Sequence, residues 1–268
     1  LQVCVQERPE DCDTDTATIT VENVAPTIAL SGAASVDEGS PYTLTLGTVI
    51  DPGDDAVTEC TVRWGDGSSE TCVAGDAFTH SYPDGPASRT ITVDLADEDG
   101  VYPGAGSQGL TVENVAPTIA LSGAASVDEG STYTLTLGAV TDPGEDAVTL
   151  CTVRWGDGSS EACTPESTLA HTYADGPASP TISVDLVDED GTQAGAGTLA
   201  ITVNNVAPVV TAAGGSIDEN GTATVSGTIT DPGAQDTFTV TIDWGEGSPQ
   251  SYSYLAGATA YSETHQYL

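Results

Sequence analysis

The sequence contains no lysine and no methionine, and its only strongly basic side chains are Arg8, Arg63, Arg89 and Arg154. Against these four stand 41 acidic residues, giving a formal net charge of −37. Phosphate backbones and anionic headgroups are bound through lysine and arginine, so this composition excludes nucleic acid as a partner and argues against direct membrane contact by this segment. The missing lysine also excludes a Lys–Asn isopeptide bond as a covalent staple. Translation starts at methionine, so a chain without one is expected to be a processed or excised part of something longer. No stretch approaches the ~20 apolar residues of a membrane helix, and no signal peptide opens the chain. A sustained 3.6-residue apolar stripe is missing as well, which excludes a helical domain.

What the sequence has is repetition. Val21-Glu22-Asn23-Val24-Ala25-Pro26 returns as Val112-Glu113-Asn114-Val115-Ala116-Pro117 and again as Val203-Asn204-Asn205-Val206-Ala207-Pro208, displaced by 91 residues each time. A period of that size fits a domain with its own core, whereas solenoid repeats of roughly 20–50 residues must stack to bury theirs. Between residues 21–72 and 112–163 only six positions differ: Pro41/Thr132, Thr48/Ala139, Ile50/Thr141, Asp54/Glu145, Glu59/Leu150 and Thr71/Ala162. Such near-identity is what selection for length produces, and catalytic domains rarely need copies.

Each period consists of short alternating segments punctuated by Gly, Pro and Asp, which predicts an all-β chain of antiparallel sandwiches. In the first full repeat, strands are predicted at Thr27–Ser31, Tyr42–Val49, Cys60–Trp64, Glu70–Cys72, Thr90–Leu95 and Leu110–Val112. The expected organisation is the last strands of a preceding or complemented domain over 1–20, full domains over 21–111 and 112–202, and an incomplete domain over 203–268. Pro26, Pro117 and Pro208 hold the preceding residues extended, so the short linkers predict a semi-rigid rod. The two ends look complementary: the third repeat stops at Thr264-His265-Gln266-Tyr267-Leu268, and residues 1–20 resemble the strands that should follow. Two readings stand: a three-domain period of a continuous repetitive chain, which is favoured, or separate subunits that complete one another by donating strands.

The six cysteines form three close pairs, Cys4 with Cys12, Cys60 with Cys72 and Cys151 with Cys163. The last two pairs recur one period apart without CxxC spacing, which points to disulfides rather than a zinc site and to an extracellular or cell-surface location. Cys60 and Cys72 lie symmetrically about Asp66, so a hairpin turning there would set them opposite each other.

Trp64-Gly65-Asp66-Gly67 recurs as Trp155-Gly156-Asp157-Gly158 and, altered, as Trp244-Gly245-Glu246-Gly247. Downstream stand Thr79-His80-Ser81-Tyr82, Ala170-His171-Thr172-Tyr173 and Thr264-His265-Gln266-Tyr267. This combination resembles the PKD (polycystic kidney disease-like) domain family over nearly the whole chain, although the first two turns lack the aromatic that commonly precedes the glycine there. The resemblance implies an immunoglobulin-like sandwich and a role as spacer or binding module of surface proteins, adhesins or secreted hydrolases. From the residues themselves, the tryptophan should close a strand and bury its ring while the glycines supply positive φ. The tyrosine hydroxyl should bond nearby backbone as a tyrosine corner, with the histidine packed beside it.

The acidic loops are the best candidates for chemistry, because Ca²⁺ takes six to eight oxygen ligands and so needs several loops to converge. At the first junction these would be Glu22, Asn23, Asp51, Asp54, Asp55, Asp97 and Asp99. At the second they would be Glu113, Asn114, Asp142, Asp146, Asp188 and Asp190, facing Asp37 and Glu38 of the preceding repeat. By analogy with cadherin junctions, structural Ca²⁺ would neutralise repulsion and lock the interdomain angle. Asn220-Gly221-Thr222 is a glycosylation acceptor sequence.

The functional expectation is therefore a non-catalytic structural segment of an extracellular filament or adhesin stalk. Its partners would be further copies of itself or the continuation of the same chain, with a glycan or cell-surface ligand possible at its tip. The alternative is a carbohydrate- or surface-binding accessory module of a secreted hydrolase, which would need exposed aromatic platforms. All three tryptophans sit instead in the turn motif.

Overall fold

A computed structural model describes residues 1–53 and 55–267, leaving aside the side chains of Val5 and Asp11. The chain forms two compact units, Leu1–Asn114 and Val115–Leu268.

The first unit opens with an antiparallel hairpin, β1 (Gln2–Val5) and β2 (Arg8–Thr14), in which Cys4 stands opposite Cys12. After a stretch without strands come β3 (Thr27–Ser31), β4 (Ser35–Asp37), β5 (Pro41–Ile50), β6 (Glu59–Arg63), β7 (Ser69–Thr71), β8 (Ala77–Ser81), β9 (Ala87–Ala96) and β10 (Val101–Glu113). They make two sheets, β3-β5-β8 and β4-β10-β9-β6-β7. Strict alternation explains the packing: along β5, Tyr42, Leu44 and Leu46 are buried while Thr43 and Thr45 face water. Ile91, Val93 and Leu95 of β9 and Leu110 and Val112 of β10 meet them from the other sheet. Each fully buried side chain of this size contributes on the order of 1.5–3 kcal/mol.

The second unit repeats this plan as β11 (Thr118–Gly123), β12 (Ser126–Asp128), β13 (Thr132–Thr141), β14 (Leu150–Arg154), β15 (Ser160–Ala162), β16 (Thr168–Thr172), β17 (Thr181–Val187), β18 (Thr192–Ala200) and β19 (Thr202–Asn204). Sheets β11-β13-β16 and β15-β14-β17-β18 enclose a core around Tyr133, Leu135, Trp155, Val184 and Val203, and β12 pairs in parallel with β19. The third repeat then forms β20 (Val209–Val210), β21 (Thr222–Thr230), β22 (Phe238–Ile242), β23 (Gln250–Tyr254) and β24 (Ala260–Gln266). Its sheets are β20-β21-β24 and β22-β23. The fold is all-β and immunoglobulin-like.

The expected strands of the first full repeat are present, with two differences. Leu110–Val112 is the end of a much longer strand that starts at Val101, because the Gly- and Pro-rich run before it pairs with β9 across an irregular register. The short strands β4 and β8 were not foreseen. Three residues carry no periodicity of their own, and β4 exists only through its parallel pairing with the end of β10.

Candidate functional site

The recurrent turn builds a packed polar node. Gly65 and Gly67 take φ of +84° and +99°, a region any Cβ disfavours, and the turn they make folds Asp66 back over the hairpin. Asp66 Oδ1 accepts from the Ser68 amide at 2.8 Å and from the Ser68 hydroxyl at 2.5 Å, while Oδ2 lies 2.6 Å from His80 Nε2. The His80 ring stacks on Trp64 with centroids 4.8 Å apart and meets Tyr82 edge-on at 4.7 Å. The buried Tyr82 hydroxyl donates to the Trp64 carbonyl at 2.9 Å. This is a tyrosine-to-backbone bond, as expected, but its acceptor lies 18 residues away on the facing strand and not nearby in sequence. Burial pushes the Asp66 carboxyl up, but the Ser68 and His80 hydrogen bonds outweigh it and hold it at about 2.

The second repeat reproduces the node with Asp157, Ser159, His171, Trp155 and Tyr173. The third keeps the stack of His265 on Trp244, but its carboxylate is Glu246 at 3.3 Å. Serine, histidine and aspartate meet here without forming a nucleophilic relay. A relay needs the carboxylate on Nδ1 and the hydroxyl on Nε2, whereas in the first node Asp66 and Ser68 both face Nε2 and bond each other. The chemistry of this arrangement is that of a clasp tying the hairpin turn to β8 of the facing sheet.

The hairpin carries a second clasp. Cys60 and Cys72 are disulfide-bonded with Cα atoms 5.0 Å apart, as are Cys151 and Cys163, and Cys4 is bonded to Cys12.

Two acidic clusters stand at the loop ends. In the first unit, carboxylate oxygens of Asp51, Asp55 and Asp97 lie within 4.8 Å of one another. Desolvation and the charges of Glu98, Asp99, Asp51 and Asp97 push the Asp55 carboxyl above its ordinary value. Asp51 Oδ1 accepts from Gly53 N and Asp97 Oδ1 from Asp99 N and Gly100 N, which leaves Asp51 Oδ2 and Asp97 Oδ2 buried without hydrogen-bond partners.

In the second unit, Glu129 lies within 4.8 Å of Asp231 and Asp236, joining the second repeat to the third. Glu129 is 1% exposed, yet both its oxygens are held: Oε2 accepts from Gly176 N at 2.6 Å and Oε1 from Val206 N at 2.7 Å. The Ala234 amide donates to the Ala174 carbonyl and fastens the same loop. Desolvation, then Glu129, Asp231 and Asp175, push the Asp236 carboxyl up. Asp231 Oδ2 is buried without a hydrogen-bond partner. Both clusters are all-oxygen, anionic and under-bonded, a donor set that fits a hard divalent cation.

No family model matches this chain, and no curated protein matches its sequence. Among solved structures it is similar to the PKD domain of an M14-like peptidase from Thermoplasmatales archaeon SCGC AB-540-F20. That match has 21% identity and a TM-score of 0.29, and covers 34% of this chain and 99% of that one. It is also similar to the three N-terminal domains of the bacteriophage RB49 Highly Immunogenic Outer Capsid protein. There the identity is 11% and the TM-score 0.30, with 89% of this chain and 86% of that one covered.

Of the expected cation ligands, the structure gathers Asp51, Asp55 and Asp97. Asp54 lies outside the described residues. Glu22, Asp37, Asp99 and Glu113 are exposed and join no such carboxylate group among the described residues. The Asn23 amide instead donates to the Tyr102 hydroxyl, and Asn114 is half-buried at the end of the first unit. Glu38 is fully buried, with Oε2 accepting from Gly85 N at 2.7 Å. In the second unit, Asp146 approaches both Asp142 and Asp190 within 4.8 Å. Asp188 is occupied in its own turn, accepting from Asp190 N and Gly191 N. Asn220, the glycosylation candidate, is exposed in a turn at φ +60°.

Sequence reasoning did not name Glu98, Glu129, Asp231 or Asp236. The signal was available, since Glu129 follows Glu38 by one period and Asp231-Pro232-Gly233 is the third copy of Asp51-Pro52-Gly53.

Proposed function

We propose that this chain is a structural, non-catalytic repeat segment of an extracellular filament or adhesin stalk, with Ca²⁺ stiffening its junctions and disulfides stapling its hairpins. The observation that carries the reading is the Glu129–Asp231–Asp236 cluster. Three carboxylates from two successive repeats meet at a junction where desolvation and mutual charge push the Asp236 carboxyl up, a penalty that a bound cation would relieve. Two near-identical stapled sandwiches fit a part that works by length and stiffness, and three disulfides fit an oxidising compartment. In the cluster, Asp231 and Asp236 would hold the cation from one repeat, and Glu129 would add its charge from the other. Trp64, Trp155 and Trp244 are buried at 1%, 1% and 7% exposure and offer no platform to a sugar ring, which weighs against the accessory-module reading.

The test is calorimetric unfolding and small-angle scattering of the whole chain in chelator and in millimolar Ca²⁺. A higher melting temperature together with a longer, narrower particle in Ca²⁺ supports the reading. Identical curves in the two conditions would remove calcium from it.

A further inference from the structure

At one position the first and second repeats part in side chain while keeping the same backbone track. Arg89 stands on the inward face of β9, in line with the buried Ile91, Val93 and Leu95, and Pro180 stands at the same place one period on. The ladder survives the exchange. Ile201 N donates to the Pro180 carbonyl at 3.1 Å, and Ala178 and Val203 exchange amide bonds of 3.0 and 2.8 Å. A proline takes from a strand only its own N–H, so what differs here is the side chain.

Where the arginine is replaced there is a cavity. It measures about 360 Å³ and is lined by Gly156, Asp157, Tyr173, Asp175 and Pro180, among others. In the first repeat Arg89 Nε is buried and the Arg89 charge acts on the buried Tyr82 hydroxyl, so that side chain ends beside the counterpart of Tyr173. The carboxylates of the two nodes register the difference: the Asp66 side chain is 15% exposed, that of Asp157 32%.

The cavity favours a positive charge. Burial pushes the Asp157 carboxyl up, but hydrogen bonds from Ser159 and His171 outweigh it and hold it below its ordinary value, so it stays ionised at neutral pH. Its Oδ1 accepts from the Ser159 amide at 2.9 Å and hydroxyl at 2.6 Å, and Oδ2 lies 2.7 Å from His171 Nε2. A carboxylate offers about four lone-pair sites, so capacity for a further donor remains on its open side. Asp175 adds a second carboxylate, whose Oδ1 accepts from Gln235 N at 3.3 Å. The chain has no lysine, and Arg154, the single arginine of the second repeat, is bound to Asp185 at 2.6 Å.

We infer that this cavity is a binding site for an arginine side chain presented by a partner protein, its guanidinium entering where that of Arg89 lies in the first repeat. Arginine suits the place better than lysine, because its planar fork of donors is weakly hydrated whereas an ammonium must give up a tighter water shell. An arginine is also the occupant that the same fold already displays one period earlier. The net charge of −37 steers a basic partner toward it. Binding here needs no Ca²⁺ at the junction.

The test is a titration of the whole chain in chelator, followed by amide NMR at physiological ionic strength, where salt suppresses diffuse attraction. N-acetyl-arginine amide should give saturable shifts at Gly156, Asp157 and Tyr173, with N-acetyl-lysine amide and N-acetyl-citrulline amide binding at least about tenfold more weakly. Pro180→Arg should fill the cavity from within and abolish those shifts, with the second unit melting no lower than in the parent. Arg89→Ala should open the equivalent place and create new shifts at Gly65 and Asp66. Methylguanidinium binding as tightly as the arginine derivative would overturn the side chain as occupant. Shifts spread evenly over the acidic surface, an equal response to the lysine derivative, binding that survives in Pro180→Arg, or an Arg89→Ala chain without new shifts would each overturn the site.

Discussion

Val240 stands opposite Tyr252 in the third hairpin, where the first two hairpins hold the Cys60–Cys72 and Cys151–Cys163 disulfides. The same clasp is thus made covalently twice and by cross-strand packing once. Closing a loop of twelve residues contributes roughly 2–3 kcal/mol. The variant Cys60→Ala/Cys72→Ala should lose about that much from the first unit alone, read by calorimetry as a lowered first transition with the transition of the second unit in place.

His80 and Asp66 make the other clasp, and its pH dependence has a definite sign. The folded Asp66 carboxyl sits at about 2, below its ordinary 3.8, so its contribution is present above pH ~4 and is lost as pH falls toward 2. The Asp66 side chain is 15% exposed, and the shift is worth about 2 kcal/mol at neutral pH. Asp66→Asn should cost that much at pH 7 and little at pH 2, measured by denaturant unfolding across the range.

Asp55 behaves oppositely. Its carboxyl is raised by desolvation and by its acidic neighbours, so its charged form opposes folding at pH 7, and stability returns as pH falls through the raised value. Asp55→Asn should therefore raise the melting temperature in chelator and, if the cluster takes the proposed Ca²⁺, remove most of the rise expected of the first unit in Ca²⁺. A variant that melts lower in chelator would show that the charge is already compensated.

Glu129 accepts from Gly176 N of its own repeat and from Val206 N of the linker to the next. Glu129→Ala would orphan the buried Gly176 amide, at a cost of about 1–3 kcal/mol, and free the half-buried Val206 amide as well. The expected outcome is faster proteolysis at residues 204–208, with the sandwich core of the second repeat retaining its slow hydrogen exchange.

Much of this architecture was legible from the residues. Alternation along Tyr42-Thr43-Leu44-Thr45-Leu46 places three side chains in the core regardless of what lies opposite, because a strand presents every second residue to the same face. Gly65 and Gly67 flank Asp66 because the turn needs positive φ, and the equal spacing of Cys60 and Cys72 from that turn put them in register. The candidate cation ligands were legible only in part. A loop such as Asp51–Asp55 announces its charge but not its direction, and Asp97 reaches it only because β9 ends beside the start of β6.

The sequence by itself determined the period, the strand faces, the turns and the cysteine pairs, all of which follow from local stereochemistry and one-face burial. Tertiary structure decided what depends on a neighbour. Ser35-Val36-Asp37 and Ser216-Ile217-Asp218 are nearly the same tripeptide, but only the first is a strand. Three residues cannot offset their own conformational entropy without a paired backbone beside them, and β10 supplies that partner to the first and to the first alone.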